Sequence, residues 1–245
     1  MRFAILALLA AIALPAHAFT FQYLANPIPN VSAIDFSYRA EVDLSGDSFS
    51  VSGVAFYGSF RNKLGDPPVP GTGLGTAYGL YSEFHGVGAL TQIAPGVVRG
   101  DFSNFQMNLA VDPLLDTRSL SFTPGPGGGN ESVFATNTGD DSIILTGNLL
   151  QGQTHNILDL NRGSFNILVD PTGVSPIIAG LAGPLRFSGV STAIDGLVVP
   201  PGVAVDLDLT GSGNLAAVVP EPQTPLMVGV GAFLLLILRK LRAHE

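Results

Sequence analysis

From Phe19 onward the apolar residues recur at every second position, in short runs cut by glycine and proline. No sustained helical period appears in this region. Alternation of this kind can bury one face of a strand but not the stripe of a helix, so these runs read as β-strands. Phe36, Tyr38, Val42 and Leu44 share one face of a first strand, and Ser45-Gly46-Asp47 turns the chain. The run Phe49–Phe60 alternates again, with Gly53 and Gly58 as expected bulge sites, so the two runs form a hairpin.

The same reading continues along the chain. Asp66–Gly75 carries three prolines and three glycines and is a loop. Tyr78, Leu80, Ser82 and Phe84 then fall on one face of a strand, with Tyr81, Glu83 and His85 on the other. Val97–Val111 is a long strand or a bent pair. Pro124–Asn130 is a glycine-rich connection. Further strands are expected at Ser132–Thr136, Ile143–Leu149, Ser164–Val169, Leu185–Val190 and Val203–Leu209, with a short helix at Ile177–Leu181. About ten short strands separated by turn chemistry predict an all-β fold, a single jelly-roll-like β-sandwich over residues 19–217.

The two ends read differently. Residues 1–18 hold a positive Arg2, an apolar stretch Phe3–Leu14 and the small-x-small site Ala16-His17-Ala18, the pattern of a cleaved signal peptide. Residues 218–245 hold three parts in order. Val219-Pro220-Glu221-Pro222 is an extended element, because each proline fixes its own φ and disfavours helix before it. Leu226–Leu238 is an uncharged apolar run. Arg239, Lys240 and Arg242 then form a basic cluster that marks a cytoplasmic membrane boundary. The run is shorter than the ~20 residues of a spanning helix, and snorkelling Arg and Lys stems extend it.

This tail resembles the PEP-CTERM sorting signal of exported bacterial proteins, through the Pro-Glu-Pro element, the apolar run and the basic cluster at this spacing. The resemblance implies a transmembrane sorting helix, recognition by an exosortase (a membrane-embedded cysteine transpeptidase-like enzyme), transient residence in the inner membrane, and release to the cell surface or extracellular matrix. Glu221, the one charge between two rigid prolines, is the residue expected to matter most to recognition. Residues 70–81 with Phe84 and Gly86, together with Asn137–Ile144 and Gly163-Ser164-Phe165, also resemble the flocculation-associated branch of these proteins. That branch implies a role in cell aggregation or biofilm within an exopolysaccharide.

Charge and chemistry agree with a surface protein. The chain carries 11 basic and 19 acidic residues, a net −8. Setting aside Arg2, Arg239, Lys240, Arg242 and Glu245 leaves 7 basic and 18 acidic, about −11. That balance disfavours nucleic acid as a partner. With no cysteine there is neither disulfide nor thiol chemistry.

Outside the two ends the histidines are His85 and His155, and no nucleophile, zinc or phosphate-loop motif accompanies them. Gly46-Asp47-Ser48 matches the nucleophile block of some lipase-like hydrolases but reads first as a hairpin turn. The paired carboxylates Asp140-Asp141, after Asn137-Thr138-Gly139, are one candidate for calcium; Asp206 and Asp208, with the opening spacing of a calcium loop, are the other. The latter has Ala217 where such a loop needs a bidentate Glu, and alternation explains it as a strand.

The expectation is therefore a non-enzymatic protein without cofactor or assigned metal, with Tyr81 the better-placed candidate for sugar stacking. A secreted polysaccharide hydrolase and a permanently anchored surface protein are the alternatives.

Overall fold

A computed structural model describes residues 18–95, 97–117, 120–122, 133–157, 162–193 and 205–218, the backbone alone at 120–122, 155–157, 162, 192–193 and 205–208. Its strands in chain order are β1 (Phe19–Phe21), β2 (Ile28–Val31), β3 (Ala33–Ser45), β4 (Ser48–Arg61), β5 (Gly79–Ala94), β6 (Val97–Asp112), β7 (Leu120–Phe122), β8 (Val133–Ala135), β9 (Ser142–Ile157), β10 (Arg162–Thr172), β11 (Ile178–Ala179), β12 (Leu185–Ala193) and β13 (Val205–Ala217).

Eight of these close into an antiparallel barrel in the order β10-β12-β13-β3-β4-β5-β6-β9, with β9 pairing back onto β10. This overturns the β-sandwich expected from the sequence. Alternation at period two is the same in a sandwich and a barrel. What separates them is closure, here made by β13, which pairs with β3 from Val205–Leu44 to Ala216–Ala33. The strand continues through Thr210-Gly-Ser-Gly-Asn-Leu-Ala-Ala217, beyond the expected end at Leu209. The expected helix at Ile177–Leu181 is also replaced, because Ile178 and Ala179 pair with Phe21 and Thr20. The expected sorting helix, and all of residues 219–245, lie outside the described residues.

Eight strands leave an interior just wide enough to be filled by side chains. Aromatic rings fill it. Phe187 is at the centre, with ring centroids 4.7 Å from Phe36, 5.1 Å from Phe165, 5.3 Å from Phe84 and 5.9 Å from Phe105. Inward glycines on adjoining strands make room for these rings. A Cβ on Gly213 would lie 2.7 Å from Phe36 Cζ, and one on Gly211 would lie 2.6 Å from Tyr38 Cε1. Gly53 seats Phe84 in the same way and continues a regular ladder, so it is not the bulge expected there. Gly58 is a bulge residue, skipped where Asp35 pairs with Ser59 and Phe36 with Tyr57.

Within the barrel, the hydroxyls of Tyr57 and Ser82 share a buried hydrogen bond at 2.8 Å. The strand β1, flanked by β11 and β2, forms a small sheet. Its Phe19, Phe21, Ile28, Val31 and Ile178 join the barrel core, where Phe21 lies 5.0 Å from Phe60. Side chains that alternate with the inward rings are mainly Ser, Thr, Asn, Gln and Asp. Polar outside and apolar inside is the reverse of a membrane-spanning barrel.

The pair β7–β8 is an excursion between β6 and β9. Val133 and Ala135 of β8 pack on Val54, Tyr81 and Ala110 of the outer barrel wall. Outward side chains capture the free backbone of β8. Val133 N donates to Ser52 Oγ at 3.0 Å, and Ala135 N donates to Glu83 Oε1 at 2.7 Å.

Candidate functional site

Two features of the outer surface bring together residues far apart in sequence. The first follows from register. Asp101 pairs with Gln153, Gln153 with Asn166, Asn166 with Ser188, Ser188 with Asn214, Asn214 with Asp35, and Asp35 with Ser59. One polar residue from each of seven neighbouring strands thus forms a continuous row around the barrel. At ~4.8 Å per strand the row runs about 29 Å.

Three of the neighbouring pairs in the row are hydrogen-bonded. Gln153 Nε2 donates to Asp101 Oδ1 at 2.9 Å, Ser188 Oγ to Asn214 Oδ1 at 3.4 Å, and Ser59 Oγ to Asp35 Oδ2 at 2.9 Å. Arg61 and Arg99 flank it, paired with Asp35 and Asp101. Two open grooves follow the row. One of about 280 Å³ is lined by Gln151, Gln153, Asn166 and Arg186, and one of about 610 Å³ by Asp35, Arg61, Ser188 and Asn214. Amides, hydroxyls and carboxylates in this arrangement offer both donors and acceptors along a shallow track.

The second feature is an acidic junction at the base of the β7–β8 excursion. The last rung between β6 and β9 pairs Val111 with Ser142, and one residue beyond it stand Asp112 and Asp141. Asp112 is buried, and its carboxylate is held by the turn that follows. Leu114 N donates to Oδ1, and Thr117 N donates to Oδ2, each at 3.0 Å. Asp141 Oδ2 accepts from the Tyr81 hydroxyl at 2.6 Å and from Thr117 Oγ1 at 2.9 Å. Asn137 Nδ2 ties the two loops by donating to Asp116 O at 3.3 Å. Asp112, Asp140 and Asp141 each place a carboxylate oxygen within 4.8 Å of the other two. Burial, and then the hydrogen bond to Asp141, push the Tyr81 hydroxyl well above the ordinary tyrosine pKa; the negative charges of Asp141, Glu83 and Asp112 act the same way.

The residues singled out in the sequence fall as follows. Tyr81 does project outward, opposite Leu80 and Ser82, but β8 covers it to 4% exposure, which leaves no open ring face for a sugar. Tyr78 and Phe84 lie in the core. His85 is exposed on β5, and His155 lies on β9. Ser48 Oγ donates to Ser45 O at 2.7 Å within the β3–β4 turn. Asp206 and Asp208 are paired along β13 with Asp43 and Glu41. Ala18 directly precedes β1. Ala16, Val219, Pro220, Glu221, Pro222, Arg239, Lys240 and Arg242 lie outside the described residues.

Sequence reasoning did not find the row, whose members are single polar residues on seven strands, nor Asp112 as a partner of Asp140-Asp141. No family model matches the chain, and no curated protein or solved structure shows significant similarity to it.

Proposed function

We propose that the chain is an exported cell-surface or extracellular-matrix protein, sorted by an exosortase through Val219-Pro220-Glu221-Pro222 and the basic cluster, whose barrel adheres to exopolysaccharide in a biofilm or floc. The sorting half rests on the tail sequence. The observation that carries the adhesive half is the outward row from Asp101 to Ser59. A polyhydroxylated chain needs many modest hydrogen bonds along an extended track, and each group in the row can exchange a water for a sugar hydroxyl. The filled interior favours contact at the surface over carriage of a small ligand inside.

The test is intact mass and location of the protein in its host, beside a Glu221→Ala variant and an Asn166→Ala/Asn214→Ala double variant. The proposal expects wild type in the matrix without either end, Glu221→Ala retained in the membrane at higher mass, and the double variant processed normally but released from polysaccharide into the medium. Full-length wild type in the membrane would overturn the sorting half. Matrix retention of the double variant equal to wild type would overturn the assignment of the row.

A further inference from the structure

We propose that Asp112, Asp140 and Asp141 bind one calcium ion, which locks the β7–β8 excursion at the point where it leaves and rejoins the barrel. Three observations carry this. The donor set is oxygen only, which selects a hard cation over zinc or copper. Its spacing suits the ion, because oxygens each about 2.4 Å from one calcium stand at most about 4.8 Å apart, and these lie within 4.8 Å.

The third observation is independent of the clustering. Asp141 Oδ1 is sealed from solvent and, among the described residues, accepts no hydrogen bond, while Oδ2 takes both Tyr81 and Thr117. An anionic oxygen removed from water without a partner is costly, and a bound cation supplies what is missing. Asp112 and Asp141 stand opposite each other one residue past the last rung, and their like charges would otherwise push apart the ends of β6 and β9. Asp140 is exposed, so the cluster opens to solvent at that residue.

The site does not depend on the polysaccharide reading. The full chain is titrated with calcium and, separately, with terbium. There is no tryptophan, so sensitised terbium emission comes from tyrosine, and Tyr81 is bonded directly to a ligand carboxylate. The expected result is one calcium per chain by equilibrium dialysis, terbium emission that calcium quenches competitively, and a higher melting temperature in calcium than in chelator. Asp140→Asn, a surface change, should keep the far-ultraviolet dichroism and weaken calcium binding at least about tenfold, since outer-shell losses alone cost about 10–100-fold.

Wild type that takes up no calcium at millimolar concentration overturns the proposal, whatever the variants do. So does a folded Asp140→Asn protein that binds as tightly as wild type.

Discussion

The hydroxyl of Tyr81 on β5 meets Oδ2 of Asp141, 60 residues on, at 2.6 Å, and this bond ties the outer barrel wall to the loop that begins β9. It is part-buried and charge-assisted, and it sits under β8, which packs on the same ring. Tyr81→Phe keeps the packing and removes the bond. We expect a loss of about 1.5–3 kcal/mol in urea unfolding at unchanged m-value, since hydrogen bonds to charged groups fall in that range.

Alkaline pH should unfold the protein through its tyrosines. Burial raises Tyr38 and Tyr78 to about 12, and it pushes Tyr57 and Tyr81 higher still. The unfolded chain loses these protons near pH 10, where the folded chain still holds them. Stability from this source is therefore complete below pH 10 and falls as pH rises towards 12. Spectrophotometric titration should show these four hydroxyls ionising together with loss of the fold; four independent ionisations near pH 10 in folded protein would contradict the buried placement.

The pair Tyr57 and Ser82 gives a cycle in which removing both partners is less harmful than removing one. Each is almost fully buried and bonded to the other at 2.8 Å. Tyr57→Phe alone strands the Ser82 hydroxyl and should cost about 1–3 kcal/mol; adding Ser82→Ala should recover part of that loss. Thermal unfolding of the two singles and the double decides it.

Gly213→Ala should destabilise the barrel by about 1–3 kcal/mol, although alanine is the smallest possible addition. The new Cβ would meet Ser188 O at 2.1 Å and Phe36 Cζ at 2.7 Å. Gly46→Ala, in the β3–β4 turn, meets nothing within 4 Å, and its cost comes from φ of +59° instead. Phe36→Leu added to Gly213→Ala relieves only the contact with the ring and leaves that with Ser188 O, so urea unfolding should show the double variant still less stable than wild type.

The strand faces were legible wherever large side chains alternate with small or polar ones. Phe36, Tyr38, Leu80 and Phe84 all point inward as the alternation requires. The barrel was hidden because its closing strand runs through Thr210-Gly-Ser-Gly-Asn. Glycine and asparagine there carry turn chemistry when read locally, and only the rings on neighbouring strands explain why side chains are missing. For the same reason β9 continues through Gly152 to Ile157, beyond the expected end at Leu149. Tyr81 was assigned to the correct face, but its cover is a three-residue strand more than fifty residues away, and no local pattern announces that contact. Asp140-Asp141 stood out as a pair, whereas Asp112 joins them only through the register of β6 and β9.

The seam between β3 and β13 also sets an order of events. The first long strand waits for the last one, with nearly the whole barrel sequence threaded between them. A chain emerging from its N-terminus exposes an unpaired β3 edge until Ala217 has appeared, so this edge must be shielded or kept in motion while the rest of the chain is delivered. Nucleation from one end cannot finish the structure. Such non-local closure makes for a slow folder, with refolding expected on the millisecond-to-second scale of β-rich domains. The protein's most vulnerable moment is the interval before its two outermost strands meet.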